Sequence, residues 1–164
     1  MASRVRVRSE YAKGAEALRH SAVTVMDNLA GSVTYHAVIG PFETDIDVEE
    51  IAITVGGVKP AANGSNTLDI FNGTVAGAVT MMTQMTDALA TYGFSAQTVG
   101  VPVKPPVIAT AKRVTAGTPV VVRFVAAGSN AAAPAAVTVR LGYDIPVFDP
   151  RATAMVAGAY DGGL

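Results

Sequence analysis

The sequence contains no cysteine and no tryptophan, and it has only two histidines, five phenylalanines and five tyrosines. Without cysteine, the chain cannot form a disulfide framework, an iron–sulfur cluster, a thiolate zinc site or a thiol nucleophile. The two histidines, His20 and His36, are too few for a three-histidine metal site. No run approaches the roughly 18 apolar residues of a transmembrane helix, and the N-terminal residues lack the apolar stretch of a signal peptide. We therefore expect no membrane partner and no classical secretion.

Motifs that carry catalysis are also missing. Neither histidine has sequence neighbours that indicate a catalytic triad, and the glycine pairs lack the spacing and the Lys-Ser/Thr of a phosphate-binding loop. We expect a protein that is not an enzyme, with no catalytic residues, no cofactor and no resident metal.

The residues that are abundant indicate a β-rich fold. Half of the 164 residues are apolar, mostly alanine and valine, and 16 glycines and 9 prolines are present. Valine and threonine favour strands, whereas glycine and proline favour turns. The composition predicts a mainly all-β chain. We expect an antiparallel β-sandwich with one short helix and extended N- and C-terminal arms.

Alternating and apolar segments locate the elements. The predicted strands cover residues 22–26, 32–39, 42–55 (one strand or two), 67–71, 107–114, 118–126 and 135–145. Helical spacing predicts the main helix over residues 78–92, with its apolar stripe formed by Ala78, Met81, Met82, Met85, Leu89 and Tyr92 and with Gly93 as C-cap. We interpret this methionine stripe as core packing. A shorter helix is predicted over residues 9–20, with Ser9 as N-cap.

The two last strands give the most specific prediction about the core. Residues predicted to face inward are Val120, Val122, Phe124, Val137, Val139 and Leu141, and those predicted to face outward are Val121, Arg123, Thr138 and Arg140. The predicted organisation is an N-terminal arm with the first strands over residues 1–41, a sandwich domain over 42–145 and a tail over 146–164.

Charge is segregated along the chain. Residues 1–20 carry a net charge of +3 and residues 21–70 a net charge of −6. In an extended strand, the acidic residues Glu43, Asp45, Asp47 and Glu49 would lie on one face at intervals of about 7 Å. Three interpretations of this acidic row are open: a solvated strand face, a site for a hard cation, or a docking surface.

A matching basic row lies in the N-terminal arm, where Arg4, Arg6 and Arg8 alternate with Val5 and Val7. Such an arm could bind nucleic acid, but three arginines without interleaved aromatics are weak support for that partner. Its spacing matches the acidic row. We therefore predict that the basic arm lies along the acidic strand of a neighbouring subunit, so that both rows form an interface.

Two segments resemble a known family. Lys112–Val122 forms a basic, Thr- and Val-rich strand that leads through an alanine- and glycine-rich loop into the alternating strand Ala135–Tyr143. This pattern resembles the last hairpin of small β-sandwich structural proteins of tailed bacteriophage heads, and residues 45–73 resemble their opening strands. The resemblance covers roughly residues 45–145. It implies a capsid decoration (cement) protein or a head-fibre base, without catalytic residues.

From this resemblance we expect a structural virion protein that decorates or stabilises a bacteriophage capsid through subunit–subunit contacts. Its partners would be copies of itself and the major capsid protein or another virion protein. It would be located on the capsid surface after assembly in the host cytoplasm. The alternative is a receptor- or glycan-binding module of a fibre or cell-surface assembly, although the scarcity of aromatic residues argues against a glycan site.

Overall fold

The computed structural model describes residues 19–29, 33–57, 66–73, 79–126 and 134–146, with Arg19 described by its backbone only. The arginine row of the N-terminal arm, most of the short helix predicted over residues 9–20 and the tail after residue 146 therefore lie outside the described residues. The elements are β1 (Arg19–Asp27), β2 (Thr34–Ile39), β3 (Ile46–Gly56), β4 (Thr67–Asn72), β5 (Val79–Thr80), β6 (Met85–Thr86), a 3₁₀ helix (Ala109–Ala111), β7 (Arg113–Val114), β8 (Val120–Val125) and β9 (Ala136–Asp144).

The strands form two antiparallel sheets. The first sheet has the order β1-β9-β3-β7, and the second has the order β2-β8-β4-β5, with β6 also paired to β4. The prediction of an all-β, antiparallel sandwich is confirmed. The sandwich begins earlier than the predicted boundary at residue 42, because β1 and β2 are strands of its two sheets.

The order in which the strands pair defines a jelly roll. Strands β5 and β6 both pair with β4 and together occupy one position in the second sheet. The pairs are then nested along the chain: β1 with β9, β2 with β8, β3 with β7, and β4 with β5 and β6. Nested antiparallel pairs of this kind form one long hairpin that is rolled so that alternate strands enter opposite sheets. A two-sheet fold of about eight strands that contains two Greek keys is called a jelly roll.

The core lies between the two sheets. All six residues predicted to face inward on β8 and β9 are fully buried. Their register explains this, because Phe124 lies opposite Leu68 and Tyr35, and Val139 lies opposite Ile53. On the outer face of β8, Val121 is also buried, at 7% exposure, because it pairs with Phe71 and lies beside the side chain of Arg123.

The helix predicted over residues 78–92 is wrong for the part that is described. Val79–Thr80 and Met85–Thr86 pair with β4, and the amide of Met81 donates to the carbonyl of Ile70. The three methionines of the stripe are nevertheless buried in the core, as interpreted. The segment contains several β-branched residues, which lower helix propensity, and the unpaired edge of β4 offers backbone partners instead.

Two further element predictions need correction. The strand predicted over residues 107–114 is instead a 3₁₀ helix followed by the two-residue strand β7, and the side-chain amide of Asn72 donates to the carbonyl oxygens of Ala111 and Arg113 in this segment. At the start of the sandwich, His20 lies in β1 rather than at the end of a helix. Within the described part of the chain, no helix is long and apolar enough to span a membrane.

Candidate assembly surface

The acidic segment does not form the single straight row that the sequence predicts. Glu43 and Asp45 precede β3, which begins at Ile46. The register of β3 against β9 then shifts between Val48 and Glu50, so a β-bulge interrupts the two-residue alternation. As a result, Asp47 and Glu50 face outward from the first sheet, and Glu49 lies at the bulge between them.

Three of the four predicted acidic residues bind basic residues of their own chain. Arg113 donates through Nε to Oδ1 of Asp47 at 2.5 Å and through Nη2 to Oδ2 at 3.0 Å, and its Nη1 lies 3.8 Å from Asp45. Lys112 Nζ lies 2.8 Å from Glu49. The hydrogen bond from Lys112 to Glu49 raises the pKa of the lysine, and the bond to Asp47 raises the pKa of Arg113. These pairs fix the short strand β7 against β3.

Glu50 completes this charged face. It accepts hydrogen bonds from Lys104 Nζ and from Arg140 Nη2, each at 2.7 Å. Sequence reasoning placed Arg140 on the outside correctly but missed Glu50, because the bulge that turns Glu50 outward has no marker in the sequence. Among the described residues, no three histidine, aspartate or glutamate side chains form a group that could hold a metal ion.

These ion pairs limit what the acidic row offers to a partner. Of the four predicted residues, Glu43 is exposed, and no ion pair within the described ranges involves it. The predicted partner residues Arg4, Arg6 and Arg8 lie outside the described residues, so the pairing of the two rows stays a prediction. An arm that bound here would compete with Arg113 and Lys112 for the same carboxylates.

The outer face of the second sheet has a more buried polar group. Asp69, at 4% exposure, accepts hydrogen bonds from Arg123 at 2.7 and 3.2 Å and from Gln84 at 3.0 and 3.1 Å. The guanidinium carbon of Arg123 also lies 5.0 Å from the centre of the Phe71 ring. The sequence predicts the outward direction of Arg123 but not its partner, although an aspartate within the apolar strand β4 is a usable indication of one.

An apolar edge runs along the opposite side of the sandwich, where β1 and β2 are the edge strands of the two sheets. Four valines on or beside these strands are largely exposed: Val23 (46%), Val25 (57%), Val33 (44%) and Val38 (58%). Exposed contiguous apolar surface commonly marks a site of protein–protein contact. Sequence reasoning missed this surface, because alternation shows which residues share a face but not which strands are at the edge of a sheet.

A groove of about 250 Å³ lies between these two edge strands. Val23, Val38, Phe42 and Tyr143 are among the residues that line it. The rings of Phe42 and Tyr143 meet edge to face at 5.2 Å, and His20 stacks on Tyr143 at 5.5 Å. Burial raises the pKa of Tyr143 above its ordinary value of 10.0. The groove is thus apolar and partly aromatic.

Comparisons with known proteins give only distant similarities. No protein-family model and no curated protein matches the sequence. Among solved structures, the chain is similar to a chain in the structure of turnip yellow mosaic virus at 100 K. The TM-score is 0.36 and the identity is 14%, over 83% of this chain and 99% of that chain. This chain is also similar to Desmodium yellow mottle tymovirus, with a TM-score of 0.36 and 12% identity over 91% and 95% of the two chains.

A subviral particle of infectious bursal disease virus matches with a TM-score of 0.23 and 14% identity, over 92% of this chain and 53% of that chain. All three TM-scores are below 0.5, so these similarities do not assign a role to the chain.

Proposed function

We propose that the chain is a structural protein of a virus particle. The observation that carries the proposal is the nested strand order of the jelly roll, an architecture that is common among viral capsid domains. Lectin domains and cupins share this architecture, so the fold by itself does not assign the role. The surface of the chain supplies the second part of the argument.

The exposed valines support a role in subunit–subunit contacts. All four lie on or beside the edge strands of the two sheets, and two of them, Val23 and Val38, also line the groove between these strands. A glycan-binding lectin would instead present aromatic rings to solvent. Each aromatic side chain in the described ranges is buried or half-buried. The distribution of apolar groups therefore favours protein contacts over a glycan site.

More specifically, we propose that copies of this protein decorate or stabilise a bacteriophage capsid. The sequence resemblance supports this role, and the partners would be copies of the same chain and the major capsid protein. Within this proposal, the arginine row of the N-terminal arm adds to the contacts by pairing with the acidic segment of a neighbour. Glu43 is the carboxylate best placed for such pairing, because Asp45, Asp47 and Glu49 have partners in their own chain.

The experiment that tests the virion role is a measurement of copy number. Particles would be purified by density gradient from a lysate of the host that carries the gene, and the molar ratio of this chain to the major capsid subunit would be measured by quantitative mass spectrometry. A ratio near one, or a simple fraction of it such as one third, is expected for decoration. Absence from the particles would refute the virion role, and a few copies per particle would refute decoration and favour a fibre or neck position.

A further inference from the structure

Among the described residues, no strand pairs with the outer edge of β1. It is the terminal strand of the first sheet, where β9 is its only neighbour among the described strands. It is nine residues long, and its sequence, RHSAVTVMD, contains neither proline nor lysine. Proteins usually protect an edge strand of this length with such residues, since unpaired N–H and C=O groups recruit other strands. Here two exposed valines, Val23 and Val25, accompany the free edge instead.

The charges of β1 are complementary to a second copy of the same strand. Arg19 is its first residue and Asp27 is its last, so an antiparallel copy would place each charge opposite its counterpart at both ends. We propose that two copies of this protein associate about a two-fold axis through antiparallel pairing of β1 with β1 of the partner subunit, with Val23 on the axis.

The backbone permits this register. In an antiparallel pair, every second residue of a strand directs its N–H and C=O groups toward a given neighbour. Two copies of one edge strand can therefore pair only when opposite residues are separated by an even number of positions. Arg19 and Asp27 are eight positions apart and satisfy this condition. The register that matches the charges is thus also one that the hydrogen bonds allow.

The same register buries the exposed valines. Val23 lies opposite Val23 of the partner subunit, and Val25 lies opposite Ser21 of the partner subunit. Because diagonal neighbours on one face of a sheet are also in contact range, the four valines of the two copies form one cluster on the outer face. The two four-stranded sheets become one continuous sheet, and each copy contributes the same surface, as a two-fold interface requires.

A second copy fits this edge better than the basic N-terminal arm does. The arm alternates arginine with valine, so one face of an added strand would carry Arg4, Arg6 and Arg8. On the outer face of the sheet, those arginines would lie beside Val23 and Val25. On the inner face, they would lie beside Ala22 and Met26, which are buried. The inner placement desolvates several like charges without an acidic partner, which is costly. The outer placement sets three positive charges beside the single carboxylate of Asp27, and Val23 and Val25 gain no apolar residue as a neighbour. The pairing of two β1 strands has no such cost.

The absence of cysteine from the 164 residues makes cross-linking a direct test. Directly opposite residues of an antiparallel pair have Cβ atoms about 4.5–5.5 Å apart, which is close to the separation in a disulfide. We expect mild oxidation of a Val23→Cys variant to give a reducible dimer of twice the 16.7 kDa chain mass. In a Val25→Cys variant, the two sulfurs would lie about 13 Å apart along the paired strands, and little dimer is expected. Val38→Cys, at an equally exposed valine on β2, is the control.

Each outcome decides the proposal. A cross-linked dimer of the Val23→Cys variant, without one of the Val25→Cys or Val38→Cys variants, supports it. A mixture of Ser21→Cys and Val25→Cys chains should then also cross-link, because these two residues lie opposite each other. Dimer at position 25 or 38 in place of 23 overturns it, as does the absence of dimer in all three variants. The result is independent of the virion role, since it is obtained with the purified chain rather than with particles.

The charges provide a second readout by sedimentation equilibrium. We expect Asp27→Lys to weaken dimerisation about tenfold or more, because two ion pairs become two repulsive contacts. Adding Arg19→Glu to that variant should restore most of the affinity, whereas a strand paired in another register would gain nothing from the exchange. Failure of the double variant to recover would contradict the register.

Discussion

Removing the ring of Phe124 should destabilise the sandwich strongly. Phe124 is fully buried between its cross-strand neighbours Tyr35 and Leu68, its ring meets Phe94 edge to face at 5.7 Å, and it lies 6.4 Å from the ring of Tyr35. Phenylalanine-to-alanine changes at such sites cost about 3–5 kcal/mol. We expect Phe124→Ala to fall in the upper half of that range, because each favourable aromatic contact adds about 0.5–1.5 kcal/mol beyond burial.

The measurement is the free energy of unfolding from urea titrations, at one fixed protein concentration because association also stabilises the folded state. For a chain of this length, a loss of that size lowers the melting temperature by about 8–20 °C. The matched control is Val38→Ala, which removes an exposed apolar side chain from the adjacent strand and should change stability by less than about 0.5 kcal/mol. A cost below about 1 kcal/mol for Phe124→Ala would show that β8 is in the inverted register and that the reasoning is wrong.

Three further predictions concern single residues. Arg123→Met should lower the free energy of unfolding, measured by urea titration, by on the order of 2–3 kcal/mol, because it leaves the buried carboxylate of Asp69 with Gln84 alone. Adding Asp69→Leu to that variant should recover most of the loss. If the stability losses of the two single variants simply add in the double variant, the two residues are not coupled and the prediction is wrong. Because burial raises the pKa of Tyr143, the folded state holds its proton more tightly than the unfolded chain, so this contribution is present below about pH 10 and is lost at higher pH. Tyr143→Phe should therefore flatten the decline of stability as the pH rises above about 10, and an unchanged slope would contradict this cause. Gly93→Ala should lower the melting temperature by several degrees, since an added Cβ would lie 2.2 Å from the carbonyl oxygen of Leu89, and unchanged thermal unfolding would show that the turn can relax.

The sequence predicts the parts of the fold that short-range patterns determine. Along β9, apolar and polar residues alternate, and on the apolar strand β8 Arg123 marks the outward face, so the inward set from Val120 to Leu141 follows from the two-residue period of a strand. The burial of the methionine stripe could likewise be inferred, because its side chains are apolar and flexible whichever backbone carries them.

Other features depend on partners that are distant along the chain. Met81, Met82 and Met85 lie at helical spacing, but the free edge of β4 pairs with two pieces of this segment, and that long-range contact decides the backbone. Asn72 similarly donates hydrogen bonds to the carbonyl oxygens of Ala111 and Arg113, across 39 and 41 residues, in the segment where a longer strand was expected.

The candidate surface was predictable only in part. The sequence shows a concentration of carboxylates around Asp47, but the bulge in β3 and the basic residues that approach from β7 and β9 appear only in the folded chain. The exposed valines of β1 look like core residues in the sequence, since Val23 and Val25 lie in the largely apolar segment Ala22–Met26 with only Thr24 between them. Their exposure follows from the position of β1 at the edge and from the outward direction of its odd-numbered residues.

The most direct test of the virion role is a cryo-EM map of the purified particle at a resolution that separates strands. The account predicts density for a two-sheet jelly roll at positions repeated by the symmetry of the capsid, into which the described residues fit with β8 and β9 in their present register. A map in which every symmetry-repeated density is explained by other proteins, with no such sandwich on or in the shell, would contradict it.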